Sequence, residues 1–92
     1  MVETANHTLY VRNLDSKLKF HTLRHNLYVL FSSYGNVIKI YLKPGFGHIV
    51  FASIEQASLA KKCLNDEMFF LKKLVIEYAN QNSNLVEQVE TP

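Results

Sequence analysis

The stretch Lys43-Pro44-Gly45-Phe46-Gly47-His48-Ile49-Val50-Phe51 constrains the fold of this chain more than any other. Proline presets its own φ and glycine accepts the positive φ that follows, so Lys43-Pro44-Gly45 predicts a tight turn. The residues after it alternate as a strand does. Side chains two apart share a face, which puts Phe46, His48 and Val50 on one side and Gly47, Ile49 and Phe51 on the other. The second set is core material. The first presents rings that folding alone does not require, and stacking on unpaired bases needs such rings. A strand buried on both faces is the plainer alternative.

The rest of the chain supplies elements to pack against this strand. Thr8 to Leu14 alternates, turning Leu9 and Val11 inward and Tyr10 and Arg12 to the opposite face. Asp15 to Lys19 reads as a loop. His21 to Ser32 carries Leu23, Leu27, Leu30 and Phe31 at helical spacing, with Arg24, His25 and Tyr28 outside that stripe. Gly35 is expected to end this helix in a left-handed conformation, and Val37 to Leu42 is β-branched enough for a second strand. Ser53-Ile54-Glu55-Gln56 has the form of a capping box, so a second helix should run to about Asn65, burying Ile54, Ala57, Ala60 and Leu64, with Lys61 and Lys62 facing water. Met68 to Leu71 suggests a small hairpin arm and Leu74 to Ala79 a last strand. The division is therefore a loose N-terminus over 1–7, one domain over 8–79, and a polar tail over 80–92.

Ninety-two residues, 48% of them apolar, suffice for one small core. The longest apolar run, Leu27 to Phe31, is far shorter than a membrane span, and no signal-peptide pattern opens the chain. A soluble intracellular protein is expected. The single Cys63 and the four histidines form no spaced metal-ligand set, so no metal and no cofactor are expected, and Cys63 reads as a buried small hydrophobe. Net charge is only +2, but residues 8 to 79 hold all ten Lys and Arg against five acids. That balance permits nucleic-acid binding and also suits an ordinary solvated surface.

The order βαββαβ predicts an α+β, ferredoxin-like sandwich, with a four-stranded antiparallel sheet covered by two helices on one face. Its first and third strands lie side by side, which makes Tyr10 a neighbour of Phe46 and His48. Tyr10 and Phe46 are the central candidates for base stacking, while His48 could stack or could equally hold a hydrogen bond to the tail or a partner. Asn13 offers donors and acceptors to a base edge, and Lys17, Lys19 and Lys43 could neutralise phosphate. Glu77 should stand on the open face and accept from a base amino group, with Asn80 and Gln81 following as edge readers. Arg24, His25 and Tyr28 on the exposed helix face are candidates for docking a protein partner.

Over Thr8 to Ala79 the chain resembles the RNA recognition motif family. Leu9-Tyr10-Val11-Arg12-Asn13-Leu14 looks like the family's six-residue motif and Pro44 to Phe51 like its eight-residue motif. Thr8-Leu9-Tyr10, Asn13-Leu14, Leu27-Tyr28-x-Leu30-Phe31, Tyr34-Gly35 and Glu77-Tyr78-Ala79 resemble its spliceosomal branch of U1 snRNP A and U2 snRNP B-double-prime proteins. Gln56 to Ala60 and the run Leu64 to Phe70 look most like fungal forms of the latter. The resemblance implies a non-enzymatic nuclear protein of pre-mRNA splicing that binds a hairpin loop of U2 snRNA, beside a U2 A-prime-like leucine-rich-repeat partner docked on the first helix.

Two departures stand out. The long basic loop of that branch is here only Lys43-Pro44-Gly45, with Pro44 where the motif has Arg or Lys, and His48 replaces an aromatic Phe or Tyr. Losing a bidentate arginine implies weaker autonomous RNA binding and more reliance on the protein partner. A protein-interaction version of the fold and a U1 snRNP A-type protein are the alternatives. An acylphosphatase-like enzyme would need an anion-holding loop with arginine, and Asn13 to Lys17 contains neither glycine nor arginine.

Overall fold

The computed structural model describes residues 4–79. Strand β1 (Thr8–Arg12) is followed by helix α1 (Phe20–Phe31), strands β2 (Val37–Lys43) and β3 (Phe46–Phe51), and helix α2 (Ile54–Leu64). A small hairpin of β4 (Met68–Phe69) and β5 (Lys72–Lys73) then precedes β6 (Val75–Tyr78). The main sheet has the order β2-β3-β1-β6, antiparallel throughout, so β1 and β3 are central as the element order requires.

Alternation decides what each strand buries. Leu9, Val11, Ile49 and Phe51 turn to the helices and are at most 2% exposed, joined by Leu23, Leu27 and Phe31 of α1, Ala57, Ala60 and Leu64 of α2, and Leu74 and Ile76. Full burial of each larger aliphatic side chain contributes ~1.5 to 3 kcal/mol, and truncating Leu9 or Ile49 to Ala should cost ~2 to 5 kcal/mol. Among the described residues, no helix lies on the opposite face of the sheet.

Local chemistry sets the element ends. Asn13 stops β1 by adopting φ 67°, a left-handed conformation that asparagine tolerates better than most residues. Leu14 N–H then donates to the Gly45 carbonyl at 2.9 Å, tying this loop to the β2–β3 turn. Gly45 has the expected positive φ, 86°. Ser53 caps α2 by accepting from Gln56 N–H at 3.2 Å. Only that half of the capping box forms, because the Gln56 side chain turns away and accepts from Asn36 N–H at 2.8 Å.

Several expectations are corrected. Gly35 is not left-handed; α1 ends on Ser32 N–H donating to the Tyr28 carbonyl, and Gly35 matters because a Cβ there would lie 2.5 Å from Gln56 Cβ. Cys63 is exposed, since the inward positions of α2 are Ala57, Ala60 and Leu64. Ile54 sits in the first turn, 44% exposed, not in the core. Lys61 is half-buried with its ammonium 5.2 Å from the Tyr78 ring centroid, whereas Lys62 does face water. The arm reaches to Lys73, and its turn holds Phe70 and Leu71 at φ 53° and 69°, a two-residue geometry usually given to Asn and Gly.

Candidate nucleic-acid interface

The strand registers assemble the open face as cross-strand rows. Tyr41 of β2, His48 of β3, Tyr10 of β1 and Glu77 of β6 are successive partners in one row. Lys43, Phe46, Arg12 and Val75 form the next. Directly opposed side chains on one face of a sheet are within contact distance, so these rows bring together residues far apart in sequence.

Three rings interlock at the centre. Tyr10 and His48 are nearly parallel, 26° apart with centroids at 5.2 Å, while Phe46 meets Tyr10 edge-on at 5.7 Å and 73° and His48 at 6.3 Å and 82°. Such offset and edge-to-face contacts align each ring's positive edge with a neighbour's negative face. Tyr10 and Phe46 remain half-exposed. His48 does not: it keeps 7% exposure, and burial pushes its pKa below the usual histidine value. It therefore packs between the outer rings as a buried neighbour, and its stacking on a base, one of the two roles expected of it, is not supported by its exposure. Neutral at physiological pH, it carries either a donor or an acceptor on each ring nitrogen.

Charge lies along the rim. Arg12 Nη2 donates to Glu77 Oε2 at 2.8 Å, and its guanidinium carbon is 5.8 Å from the Tyr10 centroid. Glu77 is on the open face as expected, but it is already paired. Lys43 is exposed at the end of β2 opposite Phe46, and the Lys39 ammonium is 5.6 Å from the Tyr41 centroid. Asn13 Nδ2 donates to the Lys73 carbonyl at 2.8 Å, which commits one of its two amide N–H donors to holding the arm. Lys17 and Lys19 are exposed beyond the end of β1, with Lys17 N–H donating to Asp15 Oδ1 at 2.9 Å. Asn80 and Gln81 lie outside the described residues.

Arg12 and Tyr41 are the site residues that sequence reasoning did not assign. Both had a signal: Arg12 shares the face of Tyr10, and Tyr41 shares the parity of Lys39 and Lys43 against Ile38, Ile40 and Leu42.

A second surface lies on the edge of the sandwich. Arg24, His25 and Tyr28 of α1 are exposed and line a groove of about 790 Å³ with Phe20, His21 and residues 37–40 of β2. A β-bulge between Val37 and Lys39 makes Ile38 the extra residue, 58% exposed at this groove. Tyr28 is 50% and Phe20 44% exposed. Among the described residues no helix is long and apolar enough to cross a membrane, and no three side chains cluster as metal ligands.

Comparison with known proteins agrees with this geometry. Residues 9–75 match the family described as RNA recognition motif. The chain is 41% identical over 87 residues to a probable U2 small nuclear ribonucleoprotein B'' of Schizosaccharomyces pombe, covering 89% of this chain and 78% of that protein. It is 34% identical over 95 residues to the U1 small nuclear ribonucleoprotein usp102 of the same yeast, covering 98% of this chain but only 38% of the relative. A solved structure of the Nab3 RNA recognition motif, described in terms of recognition of non-polyadenylated RNAs, superposes with a TM-score of 0.73 at 33% identity, over 83% of this chain and 97% of the other. Homology over almost the whole described chain, with the expected topology and rings on the uncovered sheet face, makes this protein a member of the RNA recognition motif family, related to the U2 B'' and U1 A types of snRNP protein.

Proposed function

We propose that this chain is the RNA-binding component of a U2 snRNP, of the B-double-prime type, and acts in pre-mRNA splicing in the nucleus. Its sheet face takes bases of a U2 snRNA hairpin loop, and a U2 A-prime-like leucine-rich-repeat protein docks on α1. The observation that carries the reading is the Tyr10–Phe46–His48 ring cluster on the sheet face that no helix among the described residues covers. Two half-buried rings packed edge-to-face offer unpaired bases stacking partners, and each stacked base typically contributes ~1 to 3 kcal/mol. The 41% identity to the yeast B'' protein, against 34% to the yeast U1 protein, favours U2 over U1 RNA.

The β2–β3 connection supports the partner half of the proposal. With two residues between Lys43 and Phe46, it has no protrusion to enter an RNA loop, and Pro44 contributes no cation. The groove at Arg24, His25 and Tyr28 offers a partner an apolar floor with a cationic side. The same groove favours the second reading, a module that binds protein through α1 with RNA contact incidental. One titration separates them. U2 hairpin RNA is titrated with the chain alone and with the leucine-rich-repeat protein: weak binding that tightens with the partner is expected, and no RNA binding in either case leaves only the protein-interaction reading.

A further inference from the structure

The Tyr10 ring lies between His48 on one side and the Arg12–Glu77 pair on the other. From β3, His48 overlaps it: two rings within 26° of parallel reach a centroid separation of 5.2 Å only by lying partly face to face. On the β6 side the cross-strand partner is Glu77. Arg12, two residues along β1 on the same face, donates to Glu77 at 2.8 Å while its guanidinium carbon stays 5.8 Å from the Tyr10 centroid. Both charged side chains are 46% exposed, so neither is hidden from a ligand.

A pair so open to water adds little to the stability of a fold. It does hold a fork of N–H donors beside a carboxylate at the edge of a stacking ring. Arginine has five N–H donors and a carboxylate about four acceptor sites, so one mutual bond leaves both largely unspent. Resting on the RNA-binding reading, we propose that Arg12 and Glu77 together read the Watson–Crick edge of the base stacked on Tyr10, selecting guanine or cytosine over adenine and uracil.

The selection follows from the order of donors and acceptors. Guanine presents O6, N1–H and N2–H: an Arg12 N–H meets the oxygen, and the two carboxylate oxygens accept the two N–H groups. Cytosine presents the reverse order, N4–H, N3 and O2, which suits one carboxylate oxygen and the guanidinium fork. Both edges are satisfied at three points. Adenine has one donor and one acceptor there. Uracil alternates acceptor, donor, acceptor, so pairing its first two groups brings its remaining oxygen against the carboxylate. A well-formed bidentate contact discriminates by roughly 5- to 150-fold.

The test uses four seven-nucleotide RNAs, uridine throughout except for A, C, G or U at the centre, with wild-type protein, E77Q and R12K. Wild type should bind the strands with central G or C at least ~5-fold more tightly than those with A or U. In E77Q the preference should fall below about threefold, and the all-uridine strand should bind more tightly because a negative charge has left the RNA-facing surface. R12K keeps the charge but loses the fork, so it should lose the preference for C. Melting of E77Q should match wild type, because the pair is exposed. Equal binding of all four strands by wild type, an unchanged preference in E77Q, or a lost preference accompanied by a collapse in melting overturns the proposal. Failure of wild type to bind any of the strands, both alone and with the leucine-rich-repeat protein present, is a different result: it defeats the RNA-binding reading on which this one rests.

Discussion

The open sheet face and the α1–β2 groove are both surfaces that no described helix or strand covers, yet they are built in opposite ways. On the sheet, Tyr10, Phe46 and His48 lock one another at 5.2 to 6.3 Å, and an ion pair closes one edge. The result is a convex aromatic cluster in which Phe46 stands nearly perpendicular to the other two rings. In the groove, Phe20, Tyr28 and Ile38 are 44 to 58% exposed and surround a concave space with Arg24 and His25 beside it. Planar bases match the first shape, since every base has a π-face. Protruding side chains of a protein match the second, and Tyr and Arg are the residue types that most often anchor such interfaces. On the proposed reading, the two surfaces would suit two kinds of partner.

Removing a ring should break that contrast most severely. Tyr10→Ala or Phe46→Ala is expected to weaken RNA binding by ~1 to 3 kcal/mol per ring, measured by titration of a U2 hairpin. Thermal melting should fall only modestly, because both rings are half-exposed on an uncovered face. Unchanged affinity, or a loss explained entirely by unfolding, would show that the rings serve the sheet and not a ligand.

Changing Arg24 and Tyr28 together to Ala tests the groove. Truncating interface anchors of these types typically costs ~2 kcal/mol or more of partner affinity. The double variant should lose the partner-dependent tightening of RNA binding while keeping the weak binding of the chain alone, because coupling between two sites vanishes when one is removed. Full tightening in the double variant would place the partner elsewhere.

How well each surface could be read from the sequence follows from the physics that builds it. The meeting of Tyr10 with Phe46 was legible, because period-two alternation fixes the face and the order βαββαβ fixes which strands adjoin. The burial of His48 was not: alternation says which way a side chain points but not how many large neighbours crowd it from Tyr10, Phe46 and the Tyr41 strand. The Arg12–Glu77 contact spans 65 residues and becomes visible only when β1 and β6 are in register. The three candidates on α1 do share a groove, but its other wall depends on a bulge at Ile38 that no local residue announces. Cys63 failed for a simpler reason. A residue type that is usually buried fell at a helix position that faces water.

A smaller effect concerns charge. Few cations stand close to the ring cluster: Arg12 is held by Glu77, and Lys43 is exposed at one corner. The dependence of RNA affinity on salt should therefore correspond to only ~2 to 4 neutralised phosphates for the chain without its partner. A slope implying six or more contacts would mean that the arm, with Lys72 and Lys73, joins the sheet in binding RNA, and the contrast between the two surfaces would need redrawing around a third.

The smallest expected effect belongs to His48, and it probes how the ring cluster is held together. Burial lowers its pKa in the folded chain below the 6.5 of a free histidine. Between those two values the unfolded chain binds more protons than the folded one, so stability must rise with pH across that window. This contribution is fully present above pH 6.5 and is lost as the pH falls toward the lowered value. The melting temperature of wild type should therefore drop on acidification below pH 6.5, and His48→Phe should flatten that part of the profile, since the substituted ring has no proton to gain. RNA affinity of the variant should stay close to wild type at neutral pH, because the uncharged imidazole is already 7% exposed and props Tyr10 and Phe46 without offering a face of its own. If His48→Phe instead binds RNA much more weakly at neutral pH, the imidazole donates or accepts a hydrogen bond to the base, and the ring cluster reads its ligand as well as supporting it.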